Sequence, residues 1–193
     1  HLSLRRQRQM CIRDRNTSAS RSDGYRNLKF HNHDATIAGI DIAAKRQIFK
    51  NTSLGNYDLF AKFNYQRGRN LDNSTDLYNL MPANLSLGLN HAKNNWKNSF
   101  VVKLVDKKDK VDTVRQERET SSFAVADFYT SYQLQSFEIA GSIENIFDRM
   151  HDNPLGGEYI GQGATMSTGV SRATGTQTPG IGRSINISIA YLF

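Results

Sequence analysis

The chain has a single cysteine, Cys11, in 193 residues, so neither a disulfide nor a thiolate-rich metal site can be built from it. It has no apolar run long enough for a membrane helix, and its mean hydropathy is -0.58. Neither fact excludes a transmembrane β-barrel, whose lipid-facing and lumen-facing residues alternate and cancel in such an average. No stretch has capped helical periodicity, and Gly and Asn punctuate the junctions between segments. Phosphate-binding glycine loops and nucleophile motifs are also lacking. Gly161-Gln162-Gly163-Ala164-Thr165 has neither the lysine nor the strand-to-helix setting of the former. No enzyme and no resident cofactor are expected.

Acidic residues are scarce in one place. Residues 1–30 carry eight Arg or Lys against Asp14 and Asp23, while the remaining 163 hold 17 basic and 16 acidic residues. The net charge of +7 therefore belongs to the N-terminal segment and not to a folded surface, and no nucleic-acid partner is expected. Residues 1–15 show no apolar period and read as a non-native or read-through segment. Residues 16–24 read as a linker or loop, and residues 25–193 as the structured part. The chain starts on His1 and has no signal-peptide core near its start. It is therefore expected to be a piece of a longer exported protein.

What the chain has in abundance is alternation. Ile185, Ile187, Ile189, Tyr191 and Phe193 alternate with Asn186, Ser188, Ala190 and Leu192, which puts one apolar and one small or polar face on a terminal strand. Similar alternation runs through 36–43, 57–66, 85–90, 96–105 and 137–145. Segment 123–133 is less regular, since Phe128 and Tyr132 are out of phase with Phe123 and Val125. Asp41, Lys62, Lys103, Glu138 and Glu144 fall opposite the apolar phase. In lipid each would cost about 2–4 kcal/mol near the midplane, so that face is assigned to a wet lumen. About eight antiparallel strands are expected. The connections at 92–95 and near Gln135 are short, whereas 106–121 and 149–180 are long. This is the asymmetry of short periplasmic turns and long external loops.

Three pieces go beyond a generic barrel. The terminal alternation ending on Phe193 resembles the signal that outer-membrane proteins present to the barrel-assembly machinery. Asn145-Ile146-Phe147-Asp148 resembles the end of the penultimate strand in TonB-dependent outer-membrane receptors. Pro179-Gly180-Ile181-Gly182-Arg183-Ser184 resembles the lead into their last strand, and Leu80-Met81-Pro82-Ala83-Asn84 also looks like this family. The resemblance covers about residues 25–193. It implies the C-terminal eight or so strands of a barrel of about 22, set in the lipid of the bacterial outer membrane. It also implies energised uptake of a metal ion or chelate, siderophore or copper, with TonB acting through an N-terminal plug outside this chain. Arg183 is expected to anchor the strand entrance by charge-assisted hydrogen bonds.

Pro154-Leu155-Gly156-Gly157, Gly161-Gln162-Gly163 and Thr165-Met166-Ser167 resemble the last external loop of the copper-receptor branch. Met150, His151 and Met166 share this loop and suit a soft metal, although three such residues in a glycine-rich loop also arise by chance. His31, His33 and Asp34 read as an exposed loop group near a strand end. Glu117 and Glu119, among Arg115 and Arg118, read as a solvated face. Glu138 and Glu144 would lie about 20 Å apart along a strand, too far for shared acid–base work. The alternative reading is a complete eight-stranded outer-membrane barrel with a structural or adhesive role. A soluble β-domain with a basic nucleic-acid-binding arm is a third.

Overall fold

A computed structural model describes residues 5–13, 29–112, 117–159 and 176–191. Among them no helix forms. Eight strands make one antiparallel sheet in chain order: β1 (Arg5–Arg13), β2 (Lys29–Thr52), β3 (Gly55–Asn70), β4 (Asn84–Lys93), β5 (Trp96–Val105), β6 (Phe123–Leu134), β7 (Phe137–Glu144) and β10 (Ser184–Tyr191). Two short strands, β8 (Glu158–Tyr159) and β9 (Thr176–Gln177), pair within the β7–β10 connection. The sheet is open, with β1 and β10 at its edges. Residues 1–15, set aside on the sequence, thus contain the strand that pairs Arg5 with Ile37 and Arg13 with Lys29.

The register decides which residues share a face, because directly opposed residues point the same way. One continuous row runs Ile42, Phe63, Leu85, Leu104 and Ala124; another runs Phe100, Phe128, Ile143 and Ile185. The five charges assigned to the lumen all fall on the opposite face. So do Asn64, Ser86, Ser99, Ser142 and Asn186. The irregular segment resolves here: Phe128 and Tyr132 hold the apolar phase, and Phe123 and Val125 take the other. Phe60, an aromatic on the polar face, has its seat against Gly88, where an added Cβ would fall 2.2 Å from the ring. Lys62 lies above the same ring.

This sheet has almost no interior. Among the described residues few apolar side chains are buried, Ala35, Leu77, Val105, Ala126 and Pro154, whereas Ile185, Ile187 and Ile189 are 70%, 78% and 69% exposed. A water-soluble sheet covers its apolar face with a second layer. Here that face is bare, as in a strand array whose second layer is lipid.

The two ends differ. Two-residue turns join β2 to β3, β4 to β5 and β6 to β7 at one end, with Asn94 and Gln135 in the left-handed region at φ 51 and 49. Tight hairpins demand that conformation. Aromatic rings collect at this end: Trp96 lies edge-on to Tyr132 at 5.9 Å, Phe137 packs on Tyr191 at 5.0 Å, and Phe49 meets Tyr57 at 6.0 Å. Trp96 also donates its indole N–H to Thr130 at 2.8 Å. Rings with polar handles gather where hydrocarbon meets water. The opposite end carries the long connections 71–83, 106–122 and 145–183.

Candidate functional site

The long connections knit together above the sheet, starting from the junction after β7. Asn145 is 4% exposed and sits at φ 49. Its N–H donates to Asp127 at 2.9 Å, and its carboxamide donates to the carbonyls of Arg149 (3.0 Å) and Ile181 (3.1 Å). The amide oxygen accepts the Arg149 N–H at 2.8 Å. One side chain thus ties the exit of β7 to the chain returning into β10. Asp148 completes the clamp by accepting the Arg183 N–H at 2.9 Å. Its carboxylate lies 3.8 Å from the Arg183 guanidinium, and both groups are more than half exposed. The backbone bond therefore holds this contact, and the ion pair adds little. Gly182 approaches the same carboxylate, and Phe147 projects outward at 77% exposure.

The two limbs of the 145–183 connection then zip. Asp152 bridges Pro179, Gly180 donates to the His151 carbonyl at 2.8 Å, and Asn153 donates to Thr178 at 2.9 Å. His151 lies flat on Phe123 at 4.1 Å and donates Nδ1–H to the Arg149 carbonyl at 3.0 Å. Its Nε2 sits where a Cβ on Gly180 would be, 2.0 Å away. Met150 points out at 89% exposure. Met166, Leu192 and Phe193 lie outside the described residues. Among the described residues no three His, Cys, Asp or Glu side chains converge on a metal position.

A second knot was not legible in the sequence. Lys108 and Glu117 are 2% and 6% exposed and meet at 2.6 Å. Lys108 also donates to the Pro154 carbonyl at 2.7 Å, while Glu117 accepts the N–H of Asn79 and of Asp112, each at 2.9 Å. One buried pair therefore joins all three long connections. The expectation of a solvated Glu117 is corrected: a low-dielectric pocket with four donors and acceptors fixes it. Its partners come from distant loops, and a lysine in Asp106-Lys107-Lys108-Asp109-Lys110 carries no local sign of burial. The surface members of that run behave otherwise: Lys107 beside Asp109 holds that exposed carboxyl below the usual carboxylate range. His33 and Asp34 are likewise corrected from loop to strand β2, where Asp72 accepts from the Asp34 N–H at 3.1 Å and contacts His33 at 3.0 Å.

Below the knots, the polar face of the sheet walls a hollow of about 510 Å³ whose lining includes Lys45, Asp58, Ser99, Tyr129, Ser142 and Asn186. Lys103 and Asp127 pair at 2.9 Å on the same face. Small hydroxyl and amide groups dominate this wall. It offers hydrogen bonds along its length.

No protein-family model and no curated protein sequence matches the chain. Solved structures do. The chain superposes over its full length on 28% of a copper transporter, OprC, with a TM-score of 0.78 and 16% identity. Over that stretch the chain has the fold of this transporter's antiparallel strand array. The ferric yersiniabactin uptake receptor FyuA from Yersinia pestis matches 83% of the chain over 24% of its own length, with a TM-score of 0.59 and 14% identity. The chain thus spans a little over a quarter of the length of the copper transporter and a little under a quarter of the uptake receptor.

Proposed function

We propose that this chain forms the C-terminal barrel wall of an outer-membrane receptor that takes up a metal ion or metal chelate with energy delivered through TonB. The observation carrying this reading is the full-length superposition on the copper transporter, joined to a sheet whose apolar face is bare and whose polar face walls a hollow. In it the metal is cargo and not a resident cofactor. The knotted loops form the outer capture surface, the hydroxyl- and amide-rich wall lines the route inward, and TonB acts on a plug outside this chain. The barrel-assembly machinery inserts the barrel by reading the terminal strand. Met150, His151 and Met166 are not assigned to the cargo, since His151 is engaged by Phe123, Arg149 and Gly180. An open sheet edged by β1 and β10 favours a larger barrel over a closed eight-stranded one, because free edges are not tolerated in lipid.

The test is accumulation of radiolabelled copper and of a ferric siderophore in cells expressing the reading frame that encodes this chain, with and without TonB. Accumulation of either label that disappears without TonB supports the proposal. Accumulation indifferent to TonB, or none of either label by a surface-exposed protein, overturns it.

A further inference from the structure

At the turn end, the apolar face of the sheet carries an ordered run of side-chain hydrogen bonds. Tyr57, His91, Asn98 and Thr130 oppose one another in register across β3, β4, β5 and β6. The Trp96 indole N–H donates to the Thr130 hydroxyl at 2.8 Å, and that hydroxyl donates to the Asn98 carboxamide oxygen at 2.7 Å. The Asn98 carboxamide nitrogen faces Nδ1 of His91 at 3.1 Å, and Nε2 of His91 faces the Leu54 carbonyl at 2.8 Å.

The two ends of this run fix its direction. An indole nitrogen can only donate, and a backbone carbonyl can only accept. Nε2 of His91 therefore carries the proton that reaches Leu54, and the lone pair of Nδ1 receives the Asn98 N–H. All four contacts then match one donor to one acceptor, and only the neutral ring with its proton on Nε2 allows this. The chain has a single tryptophan, so one end of the run is a unique reporter.

A proton on Nδ1 would set an N–H against the Asn98 amino group across 3.1 Å. Turning the carboxamide over restores that contact only by presenting its nitrogen to Thr130, whose hydroxyl then loses its acceptor. Either rearrangement reaches the oxygen that holds Trp96. The ionisable groups on this side of the surrounding strands are Arg46 on β2, Tyr57 on β3, Lys93 on β4 and Tyr132 on β6, and β5 offers none there. Tyr57 packs on the imidazole at 4.6 Å. None of these groups is a carboxylate, and His91 has no ion-pair partner among the described residues.

We infer that this run is a proton-operated clasp: neutral His91 closes it across β4, β5 and β6, and protonation opens it between His91 and Asn98 and frees Trp96 from Thr130. The clasp is independent of what cargo the barrel carries. The test uses the full chain folded in detergent micelles. Nuclear magnetic resonance follows the Trp96 indole N–H and the His91 ring from about pH 8 to about pH 5, the range in which histidine ordinarily changes charge. The indole proton should move upfield as its hydrogen bond is lost, with the same midpoint as the His91 ring. Its exchange with solvent, measured against His91→Phe at each pH, should quicken about fivefold on the acid side, the worth of one ordinary hydrogen bond.

His91→Phe keeps a ring against Tyr57 and should remove the pH dependence of the indole signal. Thr130→Val, similar in shape but without the hydroxyl, should leave the His91 titration in place and uncouple Trp96 from it. His33→Gln, at the opposite end of the sheet on β2, should change neither. Should His91→Phe fail to fold, Thr130→Val carries the test. A His91 ring that does not titrate in this range, or an indole signal that stays fixed while the ring titrates, would overturn the clasp. So would an indole signal that still follows pH in His91→Phe or Thr130→Val. Coupled titration in a chain that accumulates no metal would leave the clasp standing and sink the uptake reading alone.

Discussion

Replacing Lys108 by Met should loosen all three long connections at once. The ammonium is 2% exposed and 2.6 Å from Glu117, so its removal strands a carboxylate in a place water does not reach. Breaking a buried pair from one side costs about 3–5 kcal/mol. Glu117 keeps the N–H groups of Asn79 and Asp112, and hydrogen bonds to a charged group contribute about 1.5–3 kcal/mol each. The cost should thus lie at the lower end, about 3 kcal/mol, or roughly 150-fold in a local opening equilibrium. Amide hydrogen exchange reads it directly. Asn79, Asp112 and Thr120, whose N–H donates to the carbonyl of residue 108, should lose about two orders of magnitude of protection while Leu87 and Ser99 on the strands keep theirs. Pairing Lys108→Met with Glu117→Gln should recover part of the loss, because no charge is then stranded. Unchanged protection at Asn79 and Asp112 in the single variant would refute the assignment of this pair as the fastening of the loops.

Asn145→Ala removes a buried carboxamide that joins Arg149 to Ile181. It should cost about 2–4 kcal/mol, counting the carbonyls left unpaired, read as a lower thermal midpoint in detergent by circular dichroism. Gly180→Ala should push His151 off Phe123, and loss of the ring-current shift of the His151 protons is the readout. Ile187→Lys places an ammonium on the bare apolar face and should reduce vesicle insertion, by about 2–4 kcal/mol at mid-depth. Ser188→Asp, on the polar face of the same strand, should insert normally. Asp109 should titrate below the ordinary carboxylate range by nuclear magnetic resonance, and Lys107→Met should bring it back up. With the folded value depressed, whatever this contact contributes is present above the unfolded carboxylate range and vanishes as pH falls through the folded value.

The strand content and the two faces were legible because period-two alternation is a local property, and Ile185 through Tyr191 display it in full. The long asymmetric connections were legible for the same reason, as gaps in alternation. Boundaries were less so: β2 begins at Lys29 and runs to Thr52, beyond the clean alternation at 36–43, because pairing with β1 and β3 extends a strand where its own residues do not. The phase of β6 needed neighbours, since only the register against β5 and β7 shows that Phe128 and Tyr132 join the apolar rows. Motif residues Asn145, Asp148 and Gly182 stood out in the sequence without their reason, and Arg183 without its partner; the reason is a set of contacts between segments some 35 residues apart. Lys108 and Glu117 gave no sign at all, because burial by converging loops leaves no mark on the residues that are buried.

The scarcity of buried apolar side chains has a consequence for how this chain tolerates change. In a water-soluble domain, positions that reject polar substitutions cluster at the centre and those that accept them lie outside. Here the outward rows Ile185, Ile187 and Ile189 and Leu85, Leu87 and Leu89 should be the intolerant ones, and the inward serines and asparagines the permissive ones. On the membrane reading proposed above, oil is the missing half of this molecule's interior, so a substitution survey made in cells should give a map with its inside and outside exchanged.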